Sequence, residues 1–383
     1  MARALYIHWP FCLAKCPYCD FNSHVREQVD HDAWQAALLA EMRQEHAKAG
    51  GETLTSIFFG GGTPSLMPPA LVETLLREAE ALWGFADGIE ITLEGNPSSV
   101  EAANYAALAG VGINRVSLGL QSLDDAALRF LGRLHNADEG LRALEVAQRN
   151  FARVSFDLIY ALPRQTAEQW QAELERALGF GTGHLSLYQL TIEPGTRFET
   201  MVRRHEFEPL GDDAAADQFE LTRTLTAAAG LPAYEVSNHA RPGHESRHNL
   251  TYWRYQDYVG IGPGAHGRRG GVATVRHRKP ENWLAAIETK GDGIAEERAL
   301  SLSEQAGEAL MMGLRLGEGI DLNAMARRFA LRHDQLLDPG KTALYLKQGL
   351  IWRNDGHIGL TNAGLPLLDA LLGELVCAEL VAA

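Results

Sequence analysis

Short apolar runs alternate with amphipathic stretches from the N-terminus to about residue 240. Residues 5–8, 56–59, 89–93, 115–120, 154–159, 184–190 and 234–236 are brief and rich in aliphatic or aromatic residues, as buried strands are. Between them, residues 30–48 (with Trp34, Leu38 and Met42), 70–83, 124–131, 138–150, 166–180 and 212–229 carry apolar positions at helical spacing, with Thr166 placed as an N-cap. About six strand–helix repeats in succession predict a parallel sheet with helices outside it, either barrel or open. Polar and glycine motifs recur where these strands end, which is where parallel α/β folds place their ligands.

The pattern changes after residue 240. Residues 241–270 are rich in Gly, His, Arg and aromatics without a clear period, and read as a ligand loop or a packed irregular segment. Helices are predicted over 303–316, 322–331 and 341–348, then a hairpin across 350–360 with Asn354-Asp355-Gly356 as its turn, then a last helix over 362–376. The chain thus divides into an α/β core (1–240), an irregular region (241–300) and a helical, winged-helix-like unit (301–383). That last unit has no concentrated basic helix, so packing or a partner suits it better than DNA. Leu368, Leu371, Leu372 and Leu375 on its final helix could serve a homodimer as well as a core.

Among the 383 residues, 46% are hydrophobic and 22% charged, which excludes a disordered chain. The net charge of −14 argues against nucleic acid or an anionic membrane as partner, because phosphate contacts need a basic field. No apolar run approaches the ~18 residues of a membrane span, and the first residues lack an apolar core with a cleavage site. A cytoplasmic protein is expected, with membrane contact only peripheral and through a partner.

Three of the four cysteines, Cys12, Cys16 and Cys19, are spaced C-x3-C-x2-C, while Cys377 stands alone. Three thiolates on one loop can cap three irons of a [4Fe–4S] cluster and leave the fourth iron open to a small ligand. A Cys3His zinc site using His24 or His8 is the competing arrangement, and a disulfide would leave one cysteine over.

The run Tyr6-x-His8-x-Pro10-Phe11-Cys12-x3-Cys16-Pro17-Tyr18-Cys19 resembles the cluster loop of radical S-adenosylmethionine (SAM) proteins, and more narrowly that of the oxygen-independent coproporphyrinogen III oxidase family. The resemblance continues through Gly60-Gly61-Gly62-Thr63-Pro64, Glu94-Gly95-Asn96-Pro97, Val116-Ser117-Leu118-Gly119-Leu120-Gln121 and Asp157-Leu158-Ile159-Tyr160-x-Leu162-Pro163, and it spans nearly the whole chain. It implies a partial (β/α)6 barrel, a [4Fe–4S] cluster on Cys12, Cys16 and Cys19, and SAM chelated by the open iron. Reduction of the cluster in this family splits SAM to a 5′-deoxyadenosyl radical. Gly61, Gly62 and Thr63 are then expected to cradle the methionine part of SAM, although a glycine run alone reads as a tight turn. The resemblance gives Glu94, Gln121, Arg133 and Asp157 the rest of the SAM pocket, with Arg133 matched to the carboxylate, and puts Tyr6 and Tyr18 beside the cluster.

A further block, Arg247-His248-Asn249-x-x-Tyr252-Trp253, resembles a motif of the haem-chaperone branch of that family. It implies haem as a ligand, with His248 on the iron, Arg247 at a propionate, and Asn249, Tyr252 and Trp253 about the macrocycle; His239, His244 and His266 are alternative ligands. Phe21 stands where the oxidases carry a further cysteine, and only eleven residues precede Cys12. Both features favour a haem chaperone passing haem to acceptor proteins, respiratory ones being what the family suggests. Oxidative decarboxylation of coproporphyrinogen III is the enzymatic alternative.

Overall fold

The computed structural model describes residues 3–381. The two residues at either end, the outer limits of the expected core and C-terminal units, lie outside the described residues. Strands β1 (Ala4–Trp9), β2 (Leu54–Gly61), β3 (Phe85–Gly95), β4 (Arg115–Gln121), β5 (Arg153–Tyr160) and β6 (His184–Gln189) lie side by side in sequence order, every neighbouring pair parallel. Alternate residues divide the strands between two environments. Ile57 and Phe59, for example, are fully buried in the core shared with the helices, whereas Phe58 between them faces Tyr6 and His248 on the inner side. The expected α/β partial barrel is present, and Thr166 caps its helix through a capping box with Gln169.

Two expectations need correction. The strand expected over 234–236 forms instead at Asn238–Ala240, antiparallel to β6. The region 241–300 is not irregular. It contains the helices Arg247–Trp253 and Pro280–Lys290 and the strands Tyr258–Ile261, His266–Arg269, Val272–Arg276 and Ile294–Ala299. The first of these strands runs parallel to β1, and the others extend the sheet antiparallel to a total of 11 strands. Buried ion pairs hide these strands from an apolar pattern. Arg276 meets Glu41 at 3.4 Å and Glu45 at 2.9 Å, and Arg269 meets Glu45 at 3.0 Å, all against the helix His31–Ala49. Charges stand where the period would require apolar residues, and each meets a carboxylate remote in sequence.

The C-terminal unit follows the expected order of helices (Leu302–Gly313, Leu322–Phe329, Pro339–Lys347) and hairpin (Ile351–Asn354 with His357–Leu360). Leu368, Leu371, Leu372 and Leu375 are buried in this unit's own core, which answers for them the choice between core and dimer. Among the described residues no helix is long and apolar enough to cross a membrane.

Candidate functional site

The loop after β1 carries the cysteines. It is closed by a short parallel pairing of Phe11–Cys12 with His24–Val25, and Asn22 Nδ2 ties it to the carbonyls of Pro263 and Arg278 at 2.8 and 2.9 Å. Glycine is required beside it for close packing: a β-carbon on Gly62 would lie 2.7 Å from the Phe11 carbonyl oxygen, and Gly61 has φ 111° against the His8 ring. Gly62 and Thr63 N–H groups donate to Trp9 and Phe11 carbonyls, zipping the end of β2 onto the cysteine loop. The glycine run therefore shapes the loop's seat as well as leaving room for a ligand.

Cys12, Cys16 and Cys19 are free, partly buried, and line one cavity of about 340 Å³ at the C-terminal ends of the strands. Burial pushes the Cys12 and Cys19 thiols up, and each is also hydrogen-bonded, Cys12 to the Thr63 hydroxyl at 3.4 Å and Cys19 to Ser23. Arg133 donates to Cys16 Sγ at 3.3 Å, to Asn96 Oδ1 at 2.5 Å and to the Gly119 carbonyl at 2.9 Å. Its Nε is buried and has no partner among the described residues. His8 and His24 point elsewhere: His8 Nε2 is 2.9 Å from the Asn22 carbonyl and its Nδ1 2.9 Å from the Tyr6 hydroxyl, while His24 Nε2 meets Asn22 Oδ1 at 3.3 Å.

Across the cavity stand two carboxyls. Glu94 accepts the Gly61 N–H at 3.2 Å, and Asp157 accepts the Ser117 hydroxyl at 3.1 Å. Burial, reinforced by the neighbouring Asp157, pushes Glu94 up to about 8, and burial pushes Asp157 up to about 6. The cavity thus pairs an acid that is mostly protonated at neutral pH with a mostly ionised one. Gln121 completes the wall from a left-handed backbone at the strand end, with φ 69°.

Of the expected SAM residues, Tyr18, Gly61, Gly62, Thr63, Glu94, Gln121, Arg133 and Asp157 all line this cavity. Tyr6 is the exception; it lies deeper on the inner face of the barrel, bonded to His8 and packed near Phe58 and His248. Asn96 and Ser117 had no role assigned from sequence. Asn96 bridges the Thr63 hydroxyl (3.0 Å) to Arg133, and both residues were visible as members of the quoted motifs.

The expected haem set is divided. His248 is 1% exposed; its Nδ1 lies 3.1 Å from the Ser56 hydroxyl, its Nε2 bonds the Tyr252 hydroxyl, and its ring stacks on Phe58. With both nitrogens engaged it presents none to a haem iron in this structure. The helix start is pinned by Glu90, which accepts the His248 N–H at 3.2 Å and pairs with Arg115 and Arg153. Arg247 donates to the Gly88 carbonyl, Asn249 is half-buried, Tyr252 packs on Tyr258, and Trp253 faces a second cavity. Among the alternatives, His239 is buried against the Thr226 hydroxyl, His244 is half-buried, and His266 is exposed.

A partial parallel barrel with three thiols on the loop after its first strand, over a cavity at the strand ends, defines a radical SAM protein. The Radical SAM superfamily model matches residues 6–177, and the HemN C-terminal domain model matches residues 300–367. Within that superfamily the chain belongs to the HemW family. It is 40% identical over 386 residues to "Heme chaperone HemW" of Escherichia coli (strain K12), covering 98% of each chain. It is 39% identical to "Radical S-adenosyl methionine domain-containing protein 1, mitochondrial" of Mus musculus, covering 97% of this chain and 87% of the other. The solved structure of E. coli coproporphyrinogen III oxidase (HemN), a radical SAM enzyme, matches with TM-score 0.81 over 97% of this chain and 89% of its own at 21% identity, which shows a common fold.

Membership of the superfamily implies SAM and a [4Fe–4S] cluster, and the residues present fit both. Three thiols share one cavity edge, and Arg133 offers an unpartnered buried donor beside them, suited to a carboxylate. Among the described residues no three of His, Cys, Asp and Glu converge on one metal ion. A cubane instead spreads its thiolates over separate irons.

Proposed function

We propose that this chain is a haem chaperone that carries a [4Fe–4S] cluster and SAM and delivers haem to acceptor proteins, respiratory enzymes among them. The observation that carries this reading is the full-length identity of 40% to a protein named as a haem chaperone, against 21% to the oxidase of the same fold. Phe21, 62% exposed at the cavity mouth, supports it, since the oxidases carry a further cysteine at that position.

In this reading Cys12, Cys16 and Cys19 hold the cluster. Arg133 pairs with the SAM carboxylate through its free Nε, and Thr63 and Asn96 hold the Arg133–Cys12 side of the site in register. Glu94, protonated at neutral pH, can donate a hydrogen bond to a polar group of SAM, while Asp157, ionised, can accept one from a hydroxyl or amine. Gln121 closes the pocket. The reduced cluster with SAM bound supplies one-electron chemistry. A respiratory acceptor would bring the protein to a membrane surface without a span of its own.

The test is to reconstitute the protein anaerobically, measure iron and sulfide, titrate haem, and assay coproporphyrinogen III with reductant and SAM. About four irons per chain, lost on replacing any of Cys12, Cys16 and Cys19 by Ser, and about one haem are expected. Formation of protoporphyrinogen IX would replace this reading with the oxidase one.

A further inference from the structure

Glu101 is buried in the first turn of the helix Ser99–Gly110, beside the loop that follows β3. Ser98 caps this helix, and a Glu three residues after such a cap ordinarily reaches back to the cap's own N–H. Here the Ser98 N–H goes instead to the Asn96 carbonyl at 2.9 Å, and the Glu101 carboxylate is turned on the neighbouring loops. Its Oε2 accepts the Asn96 N–H at 2.7 Å and the Ser65 hydroxyl, and its Oε1 accepts the Ser98 hydroxyl at 3.2 Å. Ser65 stands in the turn after β2, so one carboxylate ties the loops of two adjacent strands together. One helical turn further on, the Tyr105 hydroxyl donates to the Asn96 carbonyl at 3.3 Å. A single face of the helix thus holds Asn96 by both its backbone N–H and its C=O.

With its backbone fixed, the Asn96 side chain has both ends committed. Its Nδ2 donates to the Thr63 hydroxyl at 3.0 Å, and its Oδ1 accepts from Arg133 at 2.5 Å. Arg133 in turn reaches the Cys16 sulfur and the Gly119 carbonyl.

We propose that Glu101 is a positioning residue for SAM, fixing Asn96 and, through Asn96, the guanidinium of Arg133. The proposal rests on the reading in which Arg133 pairs with the SAM carboxylate, and deepens it by naming what aims the guanidinium. A guanidinium meets a carboxylate through a planar fork, so its affinity depends on the plane in which it is held as well as on its charge. Both Glu101 oxygens are engaged by protein donors, so its effect on a ligand runs through the loop it holds.

The experiment is a double-mutant cycle on the reconstituted full-length protein, with SAM affinity read by equilibrium dialysis and iron content measured alongside. Glu101→Ala is expected to bind SAM roughly tenfold more weakly with its iron per chain unchanged, and Asn96→Ala to reproduce that loss. Arg133→Lys combined with Glu101→Ala should lose little more than Arg133→Lys alone, because the fork that Glu101 aims is already gone. Independent effects would instead multiply to roughly a hundredfold. Should Glu101→Ala not fold, Glu101→Asp carries the same cycle: it keeps an acid in the first turn but is one methylene too short to hold Asn96 and Ser98 together. Wild-type affinity in the folded Glu101 or Asn96 variants, or a multiplied loss in the double variant, would overturn the role of Glu101 and leave Arg133 in the SAM pocket. Wild-type affinity in Arg133→Lys would remove that reading of Arg133 and the proposal with it.

Discussion

Arg133 donates to the sulfur of Cys16 at 3.3 Å while its Nε lies buried without a partner. The guanidinium is thus anchored on the thiol loop with one buried donor left over. A buried charged donor left unmatched costs about 1–3 kcal/mol, and a ligand that satisfies it recovers that penalty.

Arg133→Lys keeps the charge but loses the planar fork. SAM affinity is expected to fall roughly tenfold, about 1.4 kcal/mol, with iron content per chain unchanged. Equilibrium dialysis of reconstituted protein checks this. Wild-type affinity in the variant would remove Arg133 from the SAM pocket.

The Glu94 carboxyl titrates near 8 in the folded protein against an ordinary 4.5. Its folded form therefore holds a proton more tightly, and the associated stability is complete below pH 4.5 and lost as pH rises towards 8. Asp157 adds the same sign over a lower window, from 3.8 to about 6. The melting temperature of the cluster-free protein should decline across this range, and Glu94→Gln should flatten the upper part of the decline. A decline unaltered in Glu94→Gln would place its origin elsewhere.

His248→Ala removes a stacked ring and two polar contacts from inside the barrel, leaving Ser56 and Tyr252 without their partner. A loss of about 2–4 kcal/mol is expected, measured by denaturant unfolding. Burial holds this imidazole near 3 against an ordinary 6.5, so the wild type loses stability as pH falls below about 6.5 while the variant, lacking the imidazole, does not; the destabilisation should be full at pH 7 to 8 and shrink towards pH 5. A variant as stable as wild type would mean the ring is not a packing element.

The repeating core and the thiol loop were legible because each is written locally. The short apolar runs of β1 to β6, the N-cap at Thr166 and the C-x3-C-x2-C spacing need no distant partner to be read. The cavity beside the thiols was legible through motifs that each end a different strand, and parallel strands bring their ends to one rim. Asn96 and Ser117 escaped because their roles exist only through neighbours on other strands.

Sequence alone determined the partial barrel, the three cysteines on one loop, and the order of helices and hairpin in the C-terminal unit. Tertiary structure decided the rest. It turned residues 241–300 into a helix-bearing extension of the sheet, in which the buried Arg269 and Arg276 meet Glu41 and Glu45 on a remote helix and Arg269 also meets Glu297. It also enclosed His248 while leaving Trp253 at a seam. One turn of helix separates the two faces, and the packing of that helix against β2 and the C-terminal unit sets which face is closed.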